Sequence, residues 1–325
     1  MLNFVLRRSV QALAVLLLMS LLVFAAVYAI GNPIDILINP QADQALREET
    51  IARYGLDQPV LLQYLLFLKN ALAGDFGTSF IYDTPALGLI LSCLPATLEL
   101  ALVAMLLSVS LGVPLGMLAG YRPHAFSTRL IMGATVLGFS VPAFWMGLML
   151  MLLFAVQLGW FSSGGRGETV ALWGVEWSVL TLDGWRHLLL PALNLALFRL
   201  ALIVRLTRAG VREALLADYV LFARAKGVAP LQVMLRHVMR NIMIPIVTVL
   251  GLEFGHMIAF SVVTESIFSW PGTGKLVIDA IRTLDQPVVV AYLLLVVFLF
   301  ILINTAVDIL HPLLDPRMRR LGANR

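Results

Sequence analysis

Cysteine is nearly absent, with Cys93 the only one in 325 residues. A single thiol excludes an intrachain disulfide, a redox pair and a cysteine-built metal site within the chain. Its place beside an apolar segment fits a small hydrophobe at a membrane edge. Charge is scarce as well: Asp, Glu, Lys and Arg make up 13% of the chain against 60% hydrophobic residues, and mean hydropathy is +0.92. That is more apolar side chain than a soluble domain can bury, so a polytopic, all-α membrane protein is expected. Catalytic signatures are missing too. There is no H-E-x-x-H and no G-x-S-x-G, and Pro271-Gly272-Thr273-Gly274-Lys275 fails as a phosphate loop because Ser269 and Leu276 stand where glycine and Ser/Thr are required. No enzyme is expected. Energy for any vectorial work must come from an ion gradient or a separate ATPase.

What is present are long uncharged runs. Ser9 to Ile30 is too long for a secretory signal core and long enough to span, so residues 1–30 are expected to hold a retained first helix. Residues 31–93 follow as an external region in which acidic residues outnumber Arg47, Arg53 and Lys69. Within it, Ala42 to Tyr54 reads as a charged helix, Leu61 to Leu72 as an amphipathic helix lying along the membrane surface, and Gly74-Asp75-Phe76-Gly77 as a turn. Residues 94–310 are expected to hold five more spans: Leu94–Gly120, Leu130–Trp160 with a kink at Pro142, Leu188–Val204, Ile242–Val263 and Pro287–Val307. Gly112, Gly116 and Gly120 recur every fourth residue, the spacing of a close helix-packing seam. Glu99 reads as an interfacial charge. Phe161 to Arg186 is expected to be an external loop, and 311–325 a cytoplasmic tail.

Arg205 to Pro245 is basic, with seven Lys or Arg against Glu213 and Asp218, and by the positive-inside rule belongs in the cytoplasm. Fifteen of the 23 basic residues fall in segments placed inside, so orientation explains the net charge of +4 better than a nucleic-acid partner does. At the centre of this stretch, Asp218-Tyr219 leads into Ala223-Arg224-Ala225-Lys226-Gly227, a short small-residue helix closed by a glycine, shaped as a knob for a partner's cleft. Within the spans, Asn194, Arg199, Glu253 and His256 are polar groups that hydrocarbon does not accept without a purpose. Two alternatives stay open for them: a structural pair of Arg199 with Glu253, or the lining of an aqueous path for a polar solute. His256 has no partners at metal-ligand spacing, so no metal site is expected.

Asp218-Tyr219, Ala223 to Gly227, His237, Arg240-Asn241 and Pro245 together resemble the permeases of bacterial ABC importers, above all the first permease of the dipeptide, oligopeptide, glutathione and nickel systems. The resemblance extends along the whole chain, through Leu56-Asp57-Gln58-Pro59, Leu94-Pro95-Ala96-Thr97-Leu98-Glu99-Leu100, Pro142-Ala143-Phe144-Trp145, Ser269-Trp270-Pro271-Gly272 and Asp315-Pro316-Arg317. It implies a type I ABC importer permease fold of six transmembrane helices in the inner membrane, with cytoplasmic termini and a periplasmic 31–93 region. It further implies that the loop 205–240 carries a coupling helix, in which Asp218, Tyr219, Ala223, Arg224, Ala225, Lys226 and Gly227 touch an ATPase. The implied partners are a second permease, two ATP-binding subunits using ATP and Mg, and a periplasmic solute-binding protein; no cofactor is implied on this chain. Where the general importer motif has Glu-Ala-Ala, this chain has Leu221-Phe222-Ala223, a departure usual in the peptide and nickel branch. Relatives generally lack a charge at Arg199 and commonly carry glutamine at Glu253. Peptide and nickel-chelate import both remain open, and the rival of another class is an ion-coupled secondary transporter using Glu253.

Overall fold

The computed structural model describes residues 2–30, 41, 43–54 and 57–314. Ala42, Leu56 and residues 315–325 of the tail, with Asp315-Pro316-Arg317 among them, lie outside the described residues. In chain order the elements are α1 (Leu2–Ile30), α2 (Gln44–Tyr54), α3 (Val60–Leu72), α4 (Ala86–Tyr121), α5 (Phe126–Ser140) and α6 (Ala143–Leu150, continuing as a π-helix over Met151–Gln157). A short antiparallel hairpin follows, β1 (Val170–Leu172) and β2 (Val175–Trp177). The chain then forms α7 (Leu182–Ala214), α8 (Asp218–Ala225), α9 (Pro230–Phe260, with π-helical Val233–Val238), α10 (Val262–Ile267), α11 (Thr273–Arg282) and α12 (Gln286–Leu314). Among the described residues five helices are long and apolar enough to cross a membrane, or six if the bent pair α5–α6 counts as one span. The fold is all-α and polytopic, as the uncharged runs require.

Two compact units divide the chain: Met1–Pro95 with Pro271–Leu302, and Ala96–Trp270 with Ile303–Arg325. In the first, α3 packs on α1. Phe24 meets Tyr64 edge-on at 5.3 Å and Phe67 at 5.7 Å, and the Ser20 and Tyr64 hydroxyls share a 3.0 Å hydrogen bond. Val23 of α1 and Val290 of α12 are buried together against Phe67 and Leu294. Gly74 and Gly77 both have positive φ, so the expected turn is there, and it leads to Ser79, whose hydroxyl donates to the Asp285 carboxylate. The same carboxylate accepts from the Phe80 N–H at 3.2 Å. The rejected phosphate-loop stretch instead opens α11, which buries Thr273, Gly274, Leu276, Val277 and Ala280 on one face.

In the second unit α7 is the hub, with α5, α6 and α9 packed on it. Its seam with α4 is built on the four-residue glycine repeat. A Cβ placed on Gly112, Gly116 or Gly120 would come within 2.8, 2.6 and 2.7 Å of Ile203, Thr207 and Val211, so the two backbones approach as only glycine allows. At α6, Gly147 lies against Asn194 in the same manner.

Two expectations need correction, and a third gains detail. The third span is not one kinked helix: α5 and α6 are bent by 108° at the Val141-Pro142 break. A residue before proline is pushed out of the α region, and Val141 sits at ψ 130°, so both helices end there instead of bending through. Within Phe161–Arg186, Trp173 and Gly174 both take positive φ and close the β1–β2 hairpin, a detail added to the expected loop. The fourth span does not stop at Val204 either, since α7 runs on to Ala214. The basic insertion is thus largely helical, formed by the end of α7, the whole of α8 and the start of α9.

Candidate functional site

At one end of α7, a carboxylate that reads in the sequence as a membrane-edge charge is 1% exposed. Glu99 Oε2 takes the Arg166 guanidinium at 2.7 Å, and Oε1 accepts from the Ser178 and Val179 N–H groups at 2.7 and 2.9 Å. Arg166 also donates to Ser178 Oγ at 3.1 Å and to the Glu176 carbonyl, and lies 5.7 Å over the Trp270 ring. Trp270, itself fully buried, donates its indole N–H to the Ala96 carbonyl at 2.9 Å. Nearly every lone pair and proton is used, so this buried ion pair holds the hairpin in place. No short-range pattern pairs residues 67 apart; the available signal is that Arg166, set between Gly165 and Gly167, is the first charge after the uncharged run from Leu130.

Farther along α7 the four polar intramembrane candidates separate. Arg199 Nη1 contacts Glu253 Oε2 at 2.8 Å, and His256 Nδ1 lies 3.8 Å from Glu253 Oε1. The Arg199 contact lacks hydrogen-bond alignment, leaving Glu253 Oε2 without a directed donor. Arg199 stacks 5.3 Å over Phe198, and His256 meets Phe260 at 6.3 Å. Asn194 is elsewhere. Its amide donates to Thr264 Oγ1 at 3.0 Å and packs on Gly147. Five residues along a helix turn a side chain by about 140°, so Asn194 and Arg199 face different neighbours, whereas Glu253 and His256, three apart, share a face. Among the described residues no group of three or more His, Cys, Asp or Glu could hold a metal ion.

At the other end of α7 the chain turns into α8. Ala217 is extended before Asp218, and Gly227 takes φ +76° after Lys226. The Gly227 N–H bonds to the Arg224 carbonyl at 2.9 Å and the Val228 N–H to Ala223 at 3.2 Å, the paired bonds of a Schellman cap. Val220 and Ala223 are buried with Val211, Ala214, Val233, Met234 and Val238. Ala223 therefore faces the chain's own core. The opposite face is open: Leu221 and Phe222 are 53% and 63% exposed, and Asp218, Tyr219, Arg224, Ala225, Lys226 and Gly227 are exposed beside them. Lys226 Nζ sits 4.4 Å over the Phe222 ring. Apolar area rimmed by cations, held on a helix fixed from beneath, is a surface made for contact.

Residues 112–320 match the family described as binding-protein-dependent transport system inner membrane component, and residues 1–101 match the N-terminal region of such membrane components. The chain belongs to this family. The permease is 39% identical to a di/tripeptide transport system permease protein, DppB, of Pseudomonas aeruginosa, over 98% of this chain and 99% of that one. It is 38% identical to the oligopeptide transport system permease protein AppB of Bacillus subtilis (97% and 98% covered) and 37% identical to the glutathione transport system permease protein GsiC of Escherichia coli K12 (98% and 99%). A chain of the inward-facing MetNI methionine ABC transporter structure superposes with TM-score 0.53 at 18% identity, covering 70% of the permease and 96% of that chain, a likeness of fold. The permease is a multi-pass inner-membrane transport subunit of the ABC importer class and not an enzyme. The self-sufficient, ion-coupled alternative falls with that assignment.

Proposed function

We propose that the permease imports di- or oligopeptides, or a closely related small polar solute. In this reading it pairs with a second permease and works with two ATP-binding subunits and a periplasmic solute-binding protein. The observation that carries the substrate class is near-full-length similarity to permeases named for di/tripeptide, oligopeptide and glutathione transport. ATP and Mg act on the partner subunits, and their closure reaches this chain through α8. Asp218, Tyr219, Arg224, Ala225, Lys226 and Gly227, with Leu221 and Phe222, form the contact face, and Ala223 supports it from beneath. A rigid-body shift of the partner then moves α8 together with the core on which it is packed.

Copurification and uptake test this. The tagged permease is expected to bring down a second permease and two ATP-binding subunits, and Phe222→Asp, on the exposed face, to lose the ATP-binding subunits and peptide uptake while keeping the wild-type unfolding temperature. Normal uptake by Phe222→Asp would remove α8 as the point of coupling.

A further inference from the structure

Arg199, Glu253 and His256 form a cluster on α7 and α9 that the coupling role of α8 does not use. Charged side chains inside a bilayer turn toward a bundle interior or a water-filled path, because hydrocarbon does not solvate them. These are not sealed in: the Arg199 and Glu253 side chains are 15% and 13% exposed, and that of His256 is 43% exposed. Aromatic surface flanks them, with Phe198 37% and Phe260 69% exposed. The ion contact itself is incompletely bonded, since Glu253 Oε2 receives no directed donor.

Resting on the importer reading above, we propose that Arg199 and Glu253 are a charge-exchange site for the two termini of a zwitterionic peptide in transit. The guanidinium is a fork that accepts the solute's carboxylate bidentately, and the Glu253 carboxylate takes the solute's ammonium. Phe198 and Phe260 supply sequence-tolerant apolar surface for the side chains between. Each protein charge is neutralised by its neighbour before the solute arrives and by the solute afterwards, so no charge is left bare in the membrane at either stage. A conduction site must bind weakly enough to release, and a solute that competes with an existing ion pair is held weakly for that reason.

The test uses the assembled importer in liposomes with its binding protein, scoring free-dipeptide uptake for wild type, R199Q/E253Q and the exchanged pair R199E/E253R. R199Q/E253Q is expected to copurify with its partners and to import about a hundredfold more slowly, the effect of losing two charge-assisted contacts at about a factor of ten each. R199E/E253R keeps an ion pair but reverses its direction and is expected to stay slow. Wild-type uptake by R199Q/E253Q, recovery of uptake in R199E/E253R, or failure of both variants to assemble would each show a structural pair and overturn the proposal. A wild-type importer that moves no free peptide overturns the importer reading as well, whereas an active R199Q/E253Q in a working importer overturns this inference alone.

Discussion

Glu99 and Glu253 each meet an arginine, at 2.7 and 2.8 Å, and the two pairs are otherwise unlike. Around Glu99 the backbone N–H groups of Ser178 and Val179 occupy one oxygen, Arg166 the other, and Ser178 Oγ takes a further guanidinium proton. Around Glu253 one oxygen has an unaligned contact and the other a histidine at 3.8 Å. Desolvating two charges is repaid only when the remaining hydrogen-bonding capacity is also filled. The first pair meets that condition and acts as a staple. The second does not, and keeps capacity for a visitor.

The comparison breaks most directly at Glu99. Glu99→Ala strands Arg166 and two buried N–H groups and is expected to cost about 3–5 kcal/mol, seen as lost thermal stability of the purified subunit. A change below about 1 kcal/mol would make the two pairs equivalent, as exposed pairs are. Gly116→Leu comes next: its Cβ alone would stand 2.6 Å from Thr207, and overpacking of this kind costs about 1–3 kcal/mol in thermal unfolding. Gly227→Ala meets nothing within 4 Å, so only the φ +76° backbone resists it, at about 1 kcal/mol, readable as a small fall in Tm. The smallest stability effect belongs to R199Q/E253Q. Removing both charges removes their attraction and their desolvation together, so stability is expected to move by less than about 1 kcal/mol even as uptake falls.

Much of the fold was legible because hydropathy and proline are local signals. The spans appeared as uncharged runs, and α8 appeared through Asp218, the small residues of Ala223 to Ala225 and Gly227. Helix ends were less legible. Hydropathy marks where the membrane stops, whereas Arg205, Arg208, Arg212 and Glu213 are good helix formers that carry α7 past it. The site was half visible. Opposite charges on two spans point to Arg199 with Glu253, but Asn194 joins them only as another polar group within a span, and its face of the helix assigns it to Thr264. Glu99 reads only as an interfacial charge because its partner Arg166 lies 67 residues away, and the turn that folds the hairpin back onto it carries no signal of that pairing.

Helix α7 is 33 residues long, which at about 1.5 Å per residue makes a rod of about 50 Å. Thr181 caps its first turn by accepting the Gly184 N–H at 2.8 Å, and Arg199 lies close to its midpoint. Because α8 adjoins its last turn, a slight tilt imposed there sweeps the opposite tip through a wide arc, as a seesaw does about its pivot. Arg199, near that pivot, travels little while the two tips of the helix swing.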